Sequence, residues 1–231
     1  MLEKDPSRSE IPVVEYFTRT YFTLRFTIAV IALILPAALI FWTLVDPDLR
    51  LLNSMSAYYY GPTRNIFVGA LIATGVCLIC YKGFSTGEDW LLNLAGILAV
   101  MVALFPTQSK SGKVPAIQFI HTASALAFFF VIALTIWIYS RVTLPALRNQ
   151  EKEQRYRAFY RFLSVAIVLA PVAAAAVIIV AKIPALVFTL EAAGIYVFAA
   201  YWLVKTHELS NSGVEPKVFT NLQPDKKYSD L

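Results

Sequence analysis

Residues Met101–Ser124 read MVALFPTQSKSGKVPAIQFIHTAS. An apolar helix stops at Pro106, because the residue before a proline is pushed out of the helical region and the ring itself removes a donor. A short polar connection follows, and a second apolar helix starts near Pro115, the proline sitting where a first-turn N–H has no partner anyway. About two turns into that helix lies His121, one of only two histidines in the chain. Two apolar helices joined by a short polar loop define a membrane hairpin, and an ionisable side chain inside such a helix marks a functional-site candidate.

The rest of the chain repeats the pattern. Hydrophobic residues make up 58% and charged ones 15% of 231 residues, and the mean hydropathy is +0.62. These values exclude an ordinary soluble domain and predict an all-α, polytopic integral membrane protein formed as one helical bundle. The net charge of +5 sits in short loops and tails, so membrane orientation explains it and nucleic acid is not expected as a partner.

Six spans are predicted: Phe26–Val45, Pro62–Lys82, Thr86 to just before Pro106, Pro115–Ser140, Phe162–Ala181 and Pro184–Lys205. Ser85 and Glu88 have capping-box spacing and fix the third start, and Pro171 is expected to kink the fifth span. Residues 1–25 are a polar, then aromatic lead-in, read either as an interfacial segment or as an early start of the first helix. Residues 206–231 are expected to form a polar, mobile or loosely docked tail, the whole chain being one membrane domain. No small-residue cleavage site follows the first apolar run, so that helix is expected to remain as a signal anchor.

An even number of spans puts both termini on one side. The opposite side carries only Arg50, Arg64, Lys110, Lys113 and Lys182 of the chain's 20 basic residues, which predicts cytoplasmic termini. Trp90, Trp137 and Trp202 are expected at cytoplasmic helix ends, and Tyr58, Tyr59 and Tyr60 at the outer interface.

With this orientation His121 lies about 9 Å, and Glu191 about 10 Å, below the outer starts of their helices. Gln118, His121 and Thr122 share a helical face that is expected to look inward. Asn65 and the SMSAYYY segment, with Ser56 and Tyr59, close the same end. The bland reading is a buried His121–Glu191 hydrogen bond that fixes helix packing. The functional reading is a site made of His121, Glu191, Gln118, Ser56, Asn65 and Tyr59 that binds a lipid headgroup or small molecule in transport or sensing. The alternative is a membrane-embedded lipid-modifying hydrolase or transferase with His121 as base, Glu191 orienting it, and Ser54 or Ser56 as nucleophile.

A metal site is disfavoured, since one histidine with Glu191, Asp46 and Asp48 falls short of the usual ligand set. No cofactor fingerprint is present. The pair Cys77 and Cys80 lies within an apolar helix and reads as packing, and Asp89, Asn93 and Gly96 read as a helix-start acid followed by a packing face. Membrane lipids are the partners the composition implies.

Three stretches, SMSAYYY (54–60), ALFPT (103–107) and FIHTASA (119–125), resemble a family of small bacterial six-helix membrane proteins of unknown function. That family is itself similar to the damage-regulated autophagy modulator membrane proteins. The resemblance implies the six-helix fold and a bacterial inner-membrane location, and points to Ser56, Pro106 and His121. It brings no reaction with it. Relatives often carry an acid shortly after the Phe-Pro pair, where this chain has Thr107, Gln108 and Ser109, which weakens a metal site further.

Overall fold

The computed structural model describes residues 7–45, 51–106, 115–177 and 185–215. Asp46, Asp48, Arg50, the 107–114 connection, Lys182, Pro184 and residues 216–231 lie outside the described residues. The described chain forms α1 (Ser7–Val45), α2 (Arg64–Cys80), α3 (Thr86–Leu104), α4 (Pro115–Tyr139), α5 (Gln150–Ala176) and α6 (Ala185–Ser212), with short 3-10 helices at Met55–Tyr60 and Leu144–Leu147. Five of these, all but α2, are long and apolar enough to cross a membrane. The 17-residue α2 is shorter than the predicted 62–82. Each helix packs on its sequence neighbours and α6 returns to α1, so the bundle closes as a ring. The large apolar side chains left outside it, among them Phe41, Phe130 and Leu169, give the ring the apolar exterior a bilayer requires.

One boundary falls on one of the two alternatives in the sequence reading, and two differ from it. The lead-in is simply the start of α1, which runs unbroken from Ser7. The hydroxyls of Thr18, Thr20 and Thr23 are satisfied by the carbonyls four residues back, and Arg19 pairs with Glu15 one turn away, a spacing that supports helix. The basic segment after α4 is the first part of α5. There Asn149 caps Lys152 N–H at 3.0 Å, Glu151 and Glu153 occupy the first turn, and they pair with Arg155 and Arg157 one turn on. Acids at a helix N-terminus and i,i+4 pairs both favour helix. Finally, α6 continues past Lys205 to Ser212, so its last turns are docked helix rather than tail.

Helices α2 and α3 cross at close range. A Cβ built on Gly75 would lie 2.7 Å from the Gly96 carbonyl oxygen, and one on Gly96 would lie 2.6 Å from that of Gly75. Only glycine admits two backbones this close, the small-residue packing that membrane helices use in place of a hydrophobic drive. Ser85 caps α3 through Glu88 N–H at 3.2 Å, as its spacing predicts. Trp90 and Trp137 are exposed at helix ends, but Trp202 is 1% exposed. It packs edge-on against Tyr81, Phe198 and Tyr201 inside the core rather than at a rim, because α6 extends three further turns beyond it.

Candidate functional site

The segment before α2 is held down by α6. Phe188, in the first turn of α6, donates its otherwise unpartnered N–H to the Asn53 carbonyl at 2.9 Å, which satisfies a helix-start donor. One turn deeper, Glu191 accepts from Met55 N–H at 2.6 Å and from the Ser54 hydroxyl at 3.2 Å. Ser54 also caps the 3-10 helix and lies 2.7 Å from the Ser56 hydroxyl. A carboxylate with two donors is compensated within a low-dielectric bundle.

His121 is buried and finds its partner elsewhere. Its Nδ1 lies 2.6 Å from the carbonyl oxygen of Phe105, the residue that ends α3. A carbonyl only accepts, so Nδ1 carries the hydrogen and Nε2 is the basic nitrogen of the neutral ring. The imidazole thus satisfies a helix-end carbonyl that Pro106 prevents the chain from covering with a continued helix. Among the described residues no hydrogen bond or ion pair joins His121 to Glu191.

The two residues nevertheless face one cavity of about 100 Å³, on whose wall Ser56, Met55 and Val102 also lie. Its remaining lining is apolar, with Phe67, Leu71, Ala125, Phe128 and Ile195. All three sequence stretches that carry the family resemblance therefore meet here: 54–60 through Met55 and Ser56, 103–107 through the Phe105 carbonyl, and 119–125 through His121 and Ala125.

The other expected site residues lie apart from it. Gln118 and Thr122 are exposed, so the inward polar stripe is reduced to His121 and, one turn on, the buried Ser124. Gln118 falls a turn above the level at which α3 ends against His121, and Thr122 is rotated away from the α3 contact. Asn65 is exposed on the first turn of α2. Tyr59 is engaged by Arg64, whose guanidinium lies 4.4 Å from the ring centroid and donates to the phenol oxygen at 2.8 Å. Tyr58 is not an interface residue: it is buried against Phe188, and its hydroxyl lies 3.1 Å from that of Thr43.

For acyl transfer a base must reach its nucleophile and be oriented by a third group. Glu191 is instead bound to Ser54 and Met55, and Nδ1 of His121 to Phe105, so no described contact favours the lipid-modifying alternative. Among the described residues no cluster of three or more His, Cys, Asp or Glu side chains could hold a metal ion. Cys77 and Cys80 are free thiols. Asp89 accepts from Gly83 N–H at 2.6 Å, and Asn93 Oδ1 is buried with no hydrogen-bond partner among the described residues.

Sequence reasoning missed a second polar centre, at the other end of the bundle. Lys205 on α6 is 1% exposed and donates to the Thr143 hydroxyl at 2.6 Å, Glu208 Oε2 at 3.0 Å and the Ser140 carbonyl at 3.3 Å. Glu208 is also reached by the hydroxyls of Thr143 at 2.5 Å and Tyr160 at 2.6 Å. Beside this network Arg25 of α1 holds Glu215 through both carboxylate oxygens. Gly213, with φ 61°, ends α6 in the left-handed conformation that turns the chain toward Arg25. The i,i+3 spacing of Lys205 and Glu208 was a visible signal. Glu215 has none, since its partner is 190 residues away.

No curated protein and no solved structure matches the chain, and the kinship with the damage-regulated autophagy modulator proteins is not shown. The family of proteins of unknown function DUF998 matches residues 28–205, so nearly the whole bundle, and the chain belongs to that family.

Proposed function

We propose that this protein spans the membrane six times with both termini in the cytoplasm, and that its outward end binds one end of a lipid or a comparable small amphiphile. The observation that carries the reading is the cavity itself: an apolar slot with an imidazole and a carboxylate on its wall, each already satisfied by its own partner. Ligand sites are typically apolar clefts with a few fixed polar groups. At about 100 Å³ the slot is smaller than the roughly 150 Å³ apolar cavity that takes benzene. It therefore suits a polar group of about two to four heavy atoms or the end of an acyl chain rather than a whole headgroup. For the polar end, the Ser56 hydroxyl is the donor, and Nε2 of His121 and the further lone pairs of Glu191 are the acceptors.

The test is thermal unfolding of the purified chain in detergent against a panel of lipids, for wild type, His121→Ala and the cavity-filling Ala125→Phe. One lipid class raises the midpoint of wild type and shifts Ala125→Phe by less than half as much. If no lipid shifts wild type beyond both variants, the binding reading fails. Orientation is tested separately: a cysteine at Ser56 reacts with an impermeant reagent added to intact cells and one at Gln154 does not. Reversed labelling would place the slot on the cytoplasmic side.

A further inference from the structure

A second recess lies between α5 and α6 at the opposite end of the bundle, and its walls change character together. On α5, Lys152 and Arg155 precede Tyr156 and Phe159 on one helical face; on α6, the antiparallel neighbour, Leu203 and Val204 precede His207 and Asn211, which puts the polar pair at the same end as Lys152. From Lys152 to Phe159 is about 10 Å of helix, and from Asn211 to Leu203 about 12 Å. The two helical walls therefore pass from basic or polar to apolar over the same depth, and Leu147, just before α5, completes the lining. The groove measures about 730 Å³, several times the outer slot.

The geometry points to this groove as a binding site for an anionic phospholipid, its phosphate held by Lys152 and Arg155 beside His207, and its acyl chain laid along Phe159, Val204 and Leu203. Charge complementarity selects the headgroup. Among the described residues no carboxylate pairs with Lys152. Arg155 is held only by Glu151, at 2.5 Å, with both side chains more than 70% exposed, a screened pair that a phosphate displaces readily. His207 shares a 3.0 Å contact with Asn211. The nearest buried carboxylate, Glu208, is already saturated by Lys205, Thr143 and Tyr160. The apolar half of the groove is what selects a lipid over a free phosphate, and basic recesses between membrane helices are suited to such headgroups. The site is independent of the outer slot, so either reading can fail alone.

The experiment is native mass spectrometry of the full chain released from detergent, titrated with phosphatidylglycerol or with phosphatidylcholine of the same acyl chains. Three proteins are compared: wild type, Lys152→Gln with Arg155→Gln, and the charge-matched control Arg141→Gln with Arg161→Gln, whose changes lie away from the groove. Wild type and the control retain phosphatidylglycerol over phosphatidylcholine, and the groove variant loses that retention about tenfold or more. Equal loss in the control reduces the effect to net charge and overturns the site. Equal retention of the two lipids by wild type overturns it as well, as does competition by inorganic phosphate at concentrations that leave the control lipid contacts unchanged, which would assign the cations to a free anion.

Discussion

His121 Nδ1 lies 2.6 Å from the carbonyl oxygen of Phe105, so the imidazole of α4 completes the end of α3 across a connection that a proline interrupts. Removing it with His121→Leu leaves a half-buried carbonyl without its donor, at a cost of about 1 kcal/mol, the low end for an unsatisfied group. His121→Gln, whose amide can still donate, should recover part of that loss. Because Glu191 has its own partners and the two side chains meet only through the cavity they share, the double change His121→Leu with Glu191→Leu should couple by no more than about 1 kcal/mol in detergent unfolding. A coupling above about 2 kcal/mol would show that the two side chains touch.

Glu191 does a different job: its two oxygens fix the backbone at Met55 and the hydroxyl of Ser54. Glu191→Ala should therefore release the Asn53–Tyr60 segment while the far end of the bundle stays closed. Hydrogen exchange read by mass spectrometry checks this, with faster exchange over residues 52–60 and unchanged exchange over 198–209. Uniform acceleration along the chain would mean that Glu191 supports the whole bundle instead of the loop.

What could be read from the sequence is what local chemistry writes there. Ser85 and Glu88 marked the start of α3, Pro106 and Pro115 bracketed the connection, and His121 stood out because its residue type is costly within an apolar helix. The partners of the polar residues were hidden for two physical reasons. The Phe105 carbonyl and the Met55 N–H are backbone groups, which every residue carries, so no side-chain pattern announces them. Arg25 and Glu215 are brought together only by closure of the helix ring. The start of α5 at Gln150 was masked by charge: its basic residues suggested a loop, whereas Asn149 and the Glu151–Arg155 and Glu153–Arg157 pairs make them helical.

The Gly75–Gly96 crossing leaves no room for a methyl group on either side. Gly75→Ala or Gly96→Ala should each cost about 1–3 kcal/mol through forced separation of α2 and α3. The double variant should cost less than the sum, since the first methyl already pushes the helices apart. A control at Gly69, where a Cβ would meet nothing within 4 Å, should be neutral or slightly stabilising. Detergent unfolding that ranks Gly69→Ala with the other two would contradict the close approach.

The Lys205–Glu208 centre makes the sharpest energetic prediction. Both side chains are almost fully buried, and the pair reaches Ser140 and Thr143 after α4 and Tyr160 on α5. Removing one ion leaves the other uncompensated in a low-dielectric interior, which typically costs about 3–5 kcal/mol. Glu208→Leu should show that loss, because Lys205, Thr143 and Tyr160 each lose an acceptor at once. Glu208→Gln should lose less, as its carbonyl oxygen still accepts while the charge is gone. Adding Lys205→Met to Glu208→Leu should restore stability relative to Glu208→Leu alone, since a missing pair is cheaper than half of one. If Glu208→Leu instead unfolds at the wild-type midpoint, the centre is open to water and its charges are solvated rather than paired.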